Sequence, residues 1–152
     1  MESIIQYIFN TNQDFYSLLA RLVSGSIILP YGLQKLGFFG GPGIGGTLAD
    51  FRKRRLPVFI AWLVIICQSL GSIGLIIGFC TRIAAAGSII IFTAAIFVHL
   101  PDGWMMNWYN RKKGEGVEYF FLLLALLWIA LIYGGGLWSV DVLITTFILQ
   151  HQ

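Results

Sequence analysis

The chain has 152 residues, of which 57% are hydrophobic and only 11% are charged, and its formal net charge is +3. A soluble globular domain carries roughly 25% charged residues, so this composition excludes a water-soluble protein and predicts one embedded in a lipid bilayer. The cations fall in short loops beside apolar runs, which excludes nucleic acid as a partner and favours lipid headgroups. The length suits a single domain, residues 1–152.

Four long apolar segments predict four membrane-spanning helices, because a helix needs about 20 residues to cross the hydrocarbon core. A shorter apolar segment follows three consecutive glycines and predicts a tail helix at the membrane interface. The predicted bounds are about 15–36, 57–79, 82–99 and 117–133 for the spans, and about 139–149 for the tail helix. We therefore expect an all-α, polytopic membrane protein: an antiparallel four-helix transmembrane bundle with a short C-terminal interfacial helix.

The loop after the first predicted span contains a glycine-rich stretch, GLQKLGFFGGPGIGG, at residues 32–46. Its letters include the pattern G-x-G-x-x-G, which binds dinucleotides when a strand precedes it, a helix follows it and an acid lies about 20 residues further on. Here a predicted membrane helix precedes the pattern, and the next acid after Asp50 is Asp102. The stretch therefore predicts a turn at the membrane surface rather than a nucleotide site.

Most of the cations lie in two segments, residues 35–55 and 111–113. With four spans, both segments belong to loops on the same side of the membrane. Cytoplasmic loops carry an excess of Lys and Arg. The sequence therefore predicts a multi-pass protein whose basic loops are cytoplasmic and whose two termini lie outside.

Two opposite charges lie near the outer ends of the predicted spans. Arg21 is inside the first span, and Asp141 follows the fourth on the same side. A charge near the bilayer centre costs roughly 2.5–3.5 kcal/mol on insertion scales, so a partner is expected. We predict an Arg21–Asp141 ion pair that holds the tail helix to the bundle. The alternative is that Arg21 extends alone to the outer headgroups.

Four polar residues, Gln34, Lys35, His99 and Glu118, lie at the predicted cytoplasmic ends of three spans and can meet in one pocket. A histidine titrates near neutral pH, and a histidine and a carboxylate that share a proton suit a quinone or proton-coupled site. The alternative is structural, because an acid at a helix start and a histidine at a helix end both favour the helix dipole. No His or Glu spacing typical of a metal site occurs, so no metal is predicted.

One uncharged polar residue, Gln68, is predicted to lie near the middle of the membrane. Most such glutamines form a hydrogen bond with a neighbouring helix, which contributes about 0.6 kcal/mol on average. The alternative is a functional role for its side chain.

Three blocks of sequence, in this order, resemble the DoxX family of small bacterial membrane proteins: GLQKLGFFGGPGIGGT, GFCTRIAAAGSIIIFTAAIFVHLPDGWMMNW and GEGVEYFFLLLALLWIALIYGGGLWSVD. The resemblance implies a four-helix protein of the bacterial cytoplasmic (inner) membrane. The family is named for a small subunit of a membrane thiosulfate:quinone oxidoreductase, and some relatives are associated with redox or oxidative-stress complexes. Many members carry an acid in helix two where this chain has Gln68, which weakens a proton-relay role at that position.

The resemblance leaves three functions open. The first is a non-catalytic subunit or scaffold of a membrane redox or oxidative-stress complex, with membrane oxidoreductase subunits as partners. The second is a quinone-reactive oxidoreductase subunit, in which quinone is the cofactor. The third is a small-molecule transporter, against which stands the lack of inverted repeats. We expect the chain not to be catalytic on its own, and the sequence leaves a homo-oligomer open.

Overall fold

The computed structural model describes residues 9, 14–107, 109 and 114–150. Within these residues all regular structure is helical and there is no strand. In chain order the helices are α1 (Phe15–Lys35), α2 (Gly43–Lys53), α3 (Val58–Ile77), α4 (Thr81–His99), α5 (Glu118–Tyr133) and α6 (Val140–Gln150). Of these, α1, α3 and α4 are long and apolar enough to cross a membrane, and α5 is a shorter apolar helix of 16 residues.

A single apolar core lies where α1, α3, α4 and α5 meet. Helix α4 packs along α5, and α1 packs against both α3 and α5. The buried core side chains are Ile28, Leu75, Ala85, Phe92, Leu123, Leu127 and Ala130. Many large apolar side chains point away from this core; Phe97 and Leu122, for example, are more than 70% exposed. Such outward-facing apolar surface suits contact with lipid chains.

The glycine-rich stretch forms a tight turn followed by a helix. Gly37, Gly40 and Gly43 adopt φ angles of +100°, +71° and +67°, a region that glycine enters at little cost. Helix α2 then begins at Gly43 and ends at Lys53. The sequence predicted a surface turn through this region, whereas the structure adds a helix. The reason is that no proline lies within Gly43–Lys53 and that the cations Arg52 and Lys53 in the last turn favour the helix dipole.

Helix α3 is interrupted by a π-helical segment, Cys67–Gly71. The carbonyl groups around this segment accept hydrogen bonds from two serine hydroxyls. Ser69 donates to the Ile65 carbonyl at 2.5 Å, and Ser72 donates to the Gln68 carbonyl at 2.7 Å. Segments of this kind are rare and are frequent at functional sites, so the surroundings of Gln68 are of particular interest.

Candidate functional site

Arg21 lies buried at one end of the bundle, where it is only 1% exposed. Its guanidinium donates to five backbone carbonyls: Gly135 (2.6 Å), Leu75 (3.2 Å), Ile76, Leu137 (3.0 Å) and Trp138 (2.9 Å). Leu75 and Ile76 belong to the last turn of α3, whose carbonyls lack the usual amide partner four residues on; the Leu75 carbonyl also accepts a hydrogen bond from the Gly78 N–H at 3.3 Å. The guanidinium therefore caps the C-terminal end of α3 and joins it to the segment after α5.

Asp141, also 1% exposed, caps the N-terminal end of α4. Its two carboxylate oxygens accept hydrogen bonds from the backbone N–H groups of Cys80 (2.8 Å) and Thr81 (2.9 Å), where α4 begins. Its own N–H donates to the Gly78 carbonyl at 2.9 Å. Negative charge at a helix start is favourable. The carboxylate thus ties the tail helix α6 to the turn between α3 and α4.

Arg21 and Asp141, the residues of the predicted ion pair, lie at the same turn. Among the described residues the salt bridges within 4.0 Å are Lys53–Asp50 and His99–Asp102, and Arg21 and Asp141 form none. The physical reason is that each charge lies beside backbone groups at a helix end that need partners. The structure therefore connects the two charges through the α3–α4 turn rather than by direct contact.

Three consecutive glycines, Gly134–Gly136, allow the close packing at this end. A Cβ atom on Gly136 would lie 2.8 Å from the Leu18 backbone nitrogen, and one on Gly135 would lie 2.6 Å from the Ser139 hydroxyl. The Ser17 hydroxyl donates to the Gly134 carbonyl. The three glycines thus do more than separate α5 from α6, because they also bring the backbone within reach of α1.

Cys80 lies in the turn beside this cluster, outside the apolar helices. Burial, and to a smaller extent the neighbouring Asp141 carboxylate, raise the pKa of the Cys80 thiol. A thiol with a raised pKa carries less thiolate at neutral pH and is less reactive.

At the opposite end of the bundle a cavity of about 660 Å³, here called the Gln68 cavity, lies between α1, α2, α3 and α4. Gln34, Lys35 and His99, three of the four residues predicted to share a pocket, line it, and so does Gln68. Its other lining residues are Pro42, Thr47, Asp50, Phe51, Arg54, Leu56, Ile60, Leu63, Val64, Ile90, Ile91, Ala94, Ala95 and Val98.

Glu118, the fourth residue of the predicted pocket, is not among the lining residues. Its carboxylate accepts a hydrogen bond from the Met106 N–H at 3.2 Å, and so holds the segment that precedes α5. His99 instead faces another acid, because its Nδ1 lies 3.2 Å from a carboxylate oxygen of Asp102. Sequence reasoning did not single out Asp102, although the spacing of three residues at a helix end was a usable signal.

Two polar atoms in the Gln68 cavity are buried and have no hydrogen-bond partner within the described part of the chain. They are the side-chain oxygens of Gln68 and Thr47, residues that are 8% and 3% exposed. An unpaired buried polar group costs about 1–3 kcal/mol, and most buried polar groups in proteins are paired. Thr47 was not predicted as a site residue, because nothing in the sequence indicates that α2 folds back onto the bundle.

The charged residues of the Gln68 cavity lie nearer to its surface. Asp50 and Arg54 are exposed, and Lys35 is partly buried. The interior is formed by neutral side chains. Across the described residues, no three His, Cys, Asp or Glu side chains lie close enough together to hold a metal ion.

Comparison with known proteins gives two matches. The sequence profile of the DoxX family matches residues 16–100, more than half of the chain. The protein named "Putative oxidoreductase CatD" from Bacillus subtilis (strain 168) is 28% identical over 99 residues, which cover 64% of this chain and 70% of that protein. No solved structure matches the chain significantly. The DoxX match extends from α1 to the end of α4, and so includes Arg21 and all of the residues that line the Gln68 cavity.

Proposed function

Because the chain belongs to the DoxX family of membrane proteins, we propose that it is a non-catalytic membrane subunit of a redox or oxidative-stress complex. The observation that carries this proposal is the combination of a DoxX match over α1 to α4 with a relative that is named as an oxidoreductase. The partners would be membrane oxidoreductase subunits, and the compartment would be the bacterial cytoplasmic membrane.

The proposed architecture is a bundle that crosses the membrane four times, with α5 as the fourth span. Its 16 residues extend about 24 Å at 1.5 Å per residue, which is less than the roughly 30 Å of a typical hydrocarbon core. Local thinning of the bilayer accommodates a short span at modest cost. Helix α6 would then lie at the interface, as the tail helix of the bundle.

The proposed orientation places the basic loops in the cytoplasm and both termini outside. Of the two basic segments, the first includes the exposed cations Arg52, Lys53, Arg54 and Arg55, which lie at and just after the end of α2. The second, residues 111–113, lies outside the described residues. The excess of cations in cytoplasmic loops supports this orientation.

A second candidate function is a quinone-reactive subunit. The observation that favours it is that Gln34, Lys35 and His99 line one cavity between apolar helices. Since a carboxylate of Asp102 lies beside Nδ1 of His99, the ring can present Nε2 as a proton acceptor. Quinone, when bound, would supply the redox chemistry, and these side chains would bind its polar group.

Purification of tagged protein from its own membranes in mild detergent tests both candidates. Mass spectrometry would identify co-purifying proteins, with an unrelated tagged membrane protein of similar size as the control. A stoichiometric oxidoreductase partner specific to this protein is expected for the subunit role. A protein that elutes alone under conditions that preserve known complexes would contradict that role.

A further inference from the structure

We propose that the Gln68 cavity binds a neutral, largely apolar molecule with a hydrogen-bonding head group, a hydroxyl or a carbonyl, and that Gln68 and Thr47 provide the hydrogen bonds to it. This site goes beyond the subunit role proposed above, because it would bind its ligand whether or not that ligand carries electrons.

The side chains of Gln68 and Thr47 point to a ligand because, among the described residues, they hold the buried polar atoms of the cavity that have no hydrogen-bond partner. The backbone carbonyl of Gln68 already accepts a hydrogen bond from Ser72 at 2.7 Å. Its side-chain oxygen and the Thr47 hydroxyl are both buried, and no partner for either lies within the described residues. A carboxamide and a hydroxyl can each donate and accept, so both suit a ligand hydroxyl or carbonyl.

The charge distribution indicates a neutral head group. The exposed residues Asp50 and Arg54 carry opposite charges at the rim, whereas the buried polar groups of the cavity are uncharged. The charged lining residues, including the partly buried Lys35, are more exposed than Gln68 and Thr47. A charged head group held at these two buried side chains would have only uncharged groups as its direct partners, and such burial is costly. A neutral hydrogen-bonding group meets no such penalty.

The shape and the walls of the cavity suit an apolar body. A volume of about 660 Å³ lies within the range of small-molecule sites, which are mostly apolar with a few polar groups. Ile60 and Leu63 of α3 and Ile91 of α4 supply branched apolar walls, while Ala94 and Ala95 leave space beside them.

The backbone at Gln68 is confined by α1 before any ligand binds. Gly32 of α1 lies so close that a Cβ atom on it would be 2.1 Å from the Gln68 carbonyl oxygen. The backbone that carries the carboxamide is therefore confined on one side by α1. No rearrangement of this backbone is then needed when a ligand binds, which lowers the conformational cost of binding.

The test compares the lipophilic molecules retained by wild-type protein and by three variants purified from native membranes. Gln68→Leu and Thr47→Val remove the proposed hydrogen-bonding groups. Ser88→Ala is the matched control, because Ser88 is 1% exposed and its hydroxyl also has no partner among the described residues, but it does not line the cavity. Solvent extraction and mass spectrometry would give the amount of each neutral lipophile per protein.

We expect wild type and Ser88→Ala to retain one neutral lipophile in near-stoichiometric amount. Gln68→Leu should retain about tenfold less, the effect of one lost hydrogen bond, and Thr47→Val should also retain less. Retention of a quinone, an isoprenoid alcohol or a diacylglycerol would in each case support the site, and the molecule found would show whether the head group is a carbonyl or a hydroxyl. Equal retention by all four proteins, or retention of phospholipid alone by wild type, would overturn it.

A second measurement keeps the test valid if Gln68→Leu does not fold. The thermal unfolding of wild type and Thr47→Val would be followed with added farnesol, which has one hydroxyl, and with decylubiquinone, which has carbonyls. At least one probe should stabilise wild type and should stabilise Thr47→Val less. Identical shifts in both proteins, or no shift in wild type, would refute the site. Co-purifying proteins are identified separately, so loss of the redox partner and loss of the ligand can be distinguished.

Discussion

Gly32 in α1 lies directly against the backbone of Gln68 in α3. A Cβ atom placed on Gly32 would be 2.1 Å from the Gln68 carbonyl oxygen and 2.6 Å from the Ser69 nitrogen, both of which are backbone atoms. No rotation of a side chain can relieve such contacts. The approach of α1 to the π-helical segment of α3 therefore depends on the absence of a side chain at position 32.

Replacement of Gly32 by alanine should destabilise the protein by about 1–3 kcal/mol, the usual cost of adding a methyl group to a packed site. Thermal unfolding in detergent measures this loss. Gly45→Ala is the control, because a Cβ atom there meets nothing within 4 Å and alanine favours a helix. Equal unfolding temperatures for the two variants would contradict the close contact of α1 with α3.

Arg21→Lys should destabilise the protein by at least about 3 kcal/mol, because a single ammonium group cannot reach the five carbonyls that the guanidinium contacts. The same unfolding assay applies. Arg52→Lys, at an exposed position of α2, should change stability by less than about 0.5 kcal/mol. An Arg21→Lys protein as stable as wild type would show that these hydrogen bonds contribute little.

Asp141→Asn should lower stability by about 1 kcal/mol, as expected for the partial loss of a helix cap, because an amide oxygen replaces only one of the two acceptors at Cys80 and Thr81. Combining it with Arg21→Gln, which removes the positive charge that lysine would keep, in a double-mutant cycle tests the predicted ion pair. A coupling energy above about 0.5 kcal/mol would support it. Strictly additive effects would show that the two charges act independently on the α3–α4 turn.

The alkylation rate of Cys80 should report the Asp141 charge. Burial and this carboxylate raise the pKa of the thiol, so its thiolate fraction at neutral pH is reduced and iodoacetamide reacts slowly. In Asp141→Asn the raising effect of the charge is lost, and the pH–rate profile should move to lower pH. An opening of the turn would instead increase the rate at every pH. The exposed variant Asp50→Asn should leave the profile unchanged, and an unshifted profile in Asp141→Asn would refute the effect.

The proposed orientation can be tested with single cysteines in a background of Cys67→Ala and Cys80→Ser. Lys53→Cys lies on the basic end of α2, and Trp138→Cys lies at the opposite end of the bundle, where Trp138 is 87% exposed. An impermeant maleimide added to intact cells should label position 138 but not position 53. Labelling of position 53 in intact cells would show that the basic end of α2 faces outward and would contradict the proposed orientation.

The all-helical class and its long apolar helices could be predicted because the signal is local. Runs of about 20 apolar residues have few alternatives to a helix in a membrane, and the DoxX blocks carry further information. The π-helical segment around Gln68 could not be predicted, since it depends on how Gly32 of α1 packs against α3. Similarly, α2 begins within a glycine-rich stretch whose composition suggests only a turn.

For the candidate site, too, the residues themselves could be predicted from local sequence, whereas their contacts with distant parts of the chain could not. Polar residues inside apolar segments, such as Arg21 and Gln68, could be identified from sequence because burial of polar groups is costly. Their partners could not, because those of Arg21 are backbone carbonyls, which every residue possesses. Thr47 contributes to the Gln68 cavity only because α2 folds back onto the bundle.

The order of synthesis also determines when the Arg21 side chain can form its hydrogen bonds. Their acceptors lie between 54 and 117 positions later in the chain, the last of them at Trp138. The ribosome therefore releases α1 into the membrane well before the carbonyls that its guanidinium requires have been translated. A nascent chain that stops before residue 134 would lack three of the five carbonyls that accept hydrogen bonds from the Arg21 guanidinium.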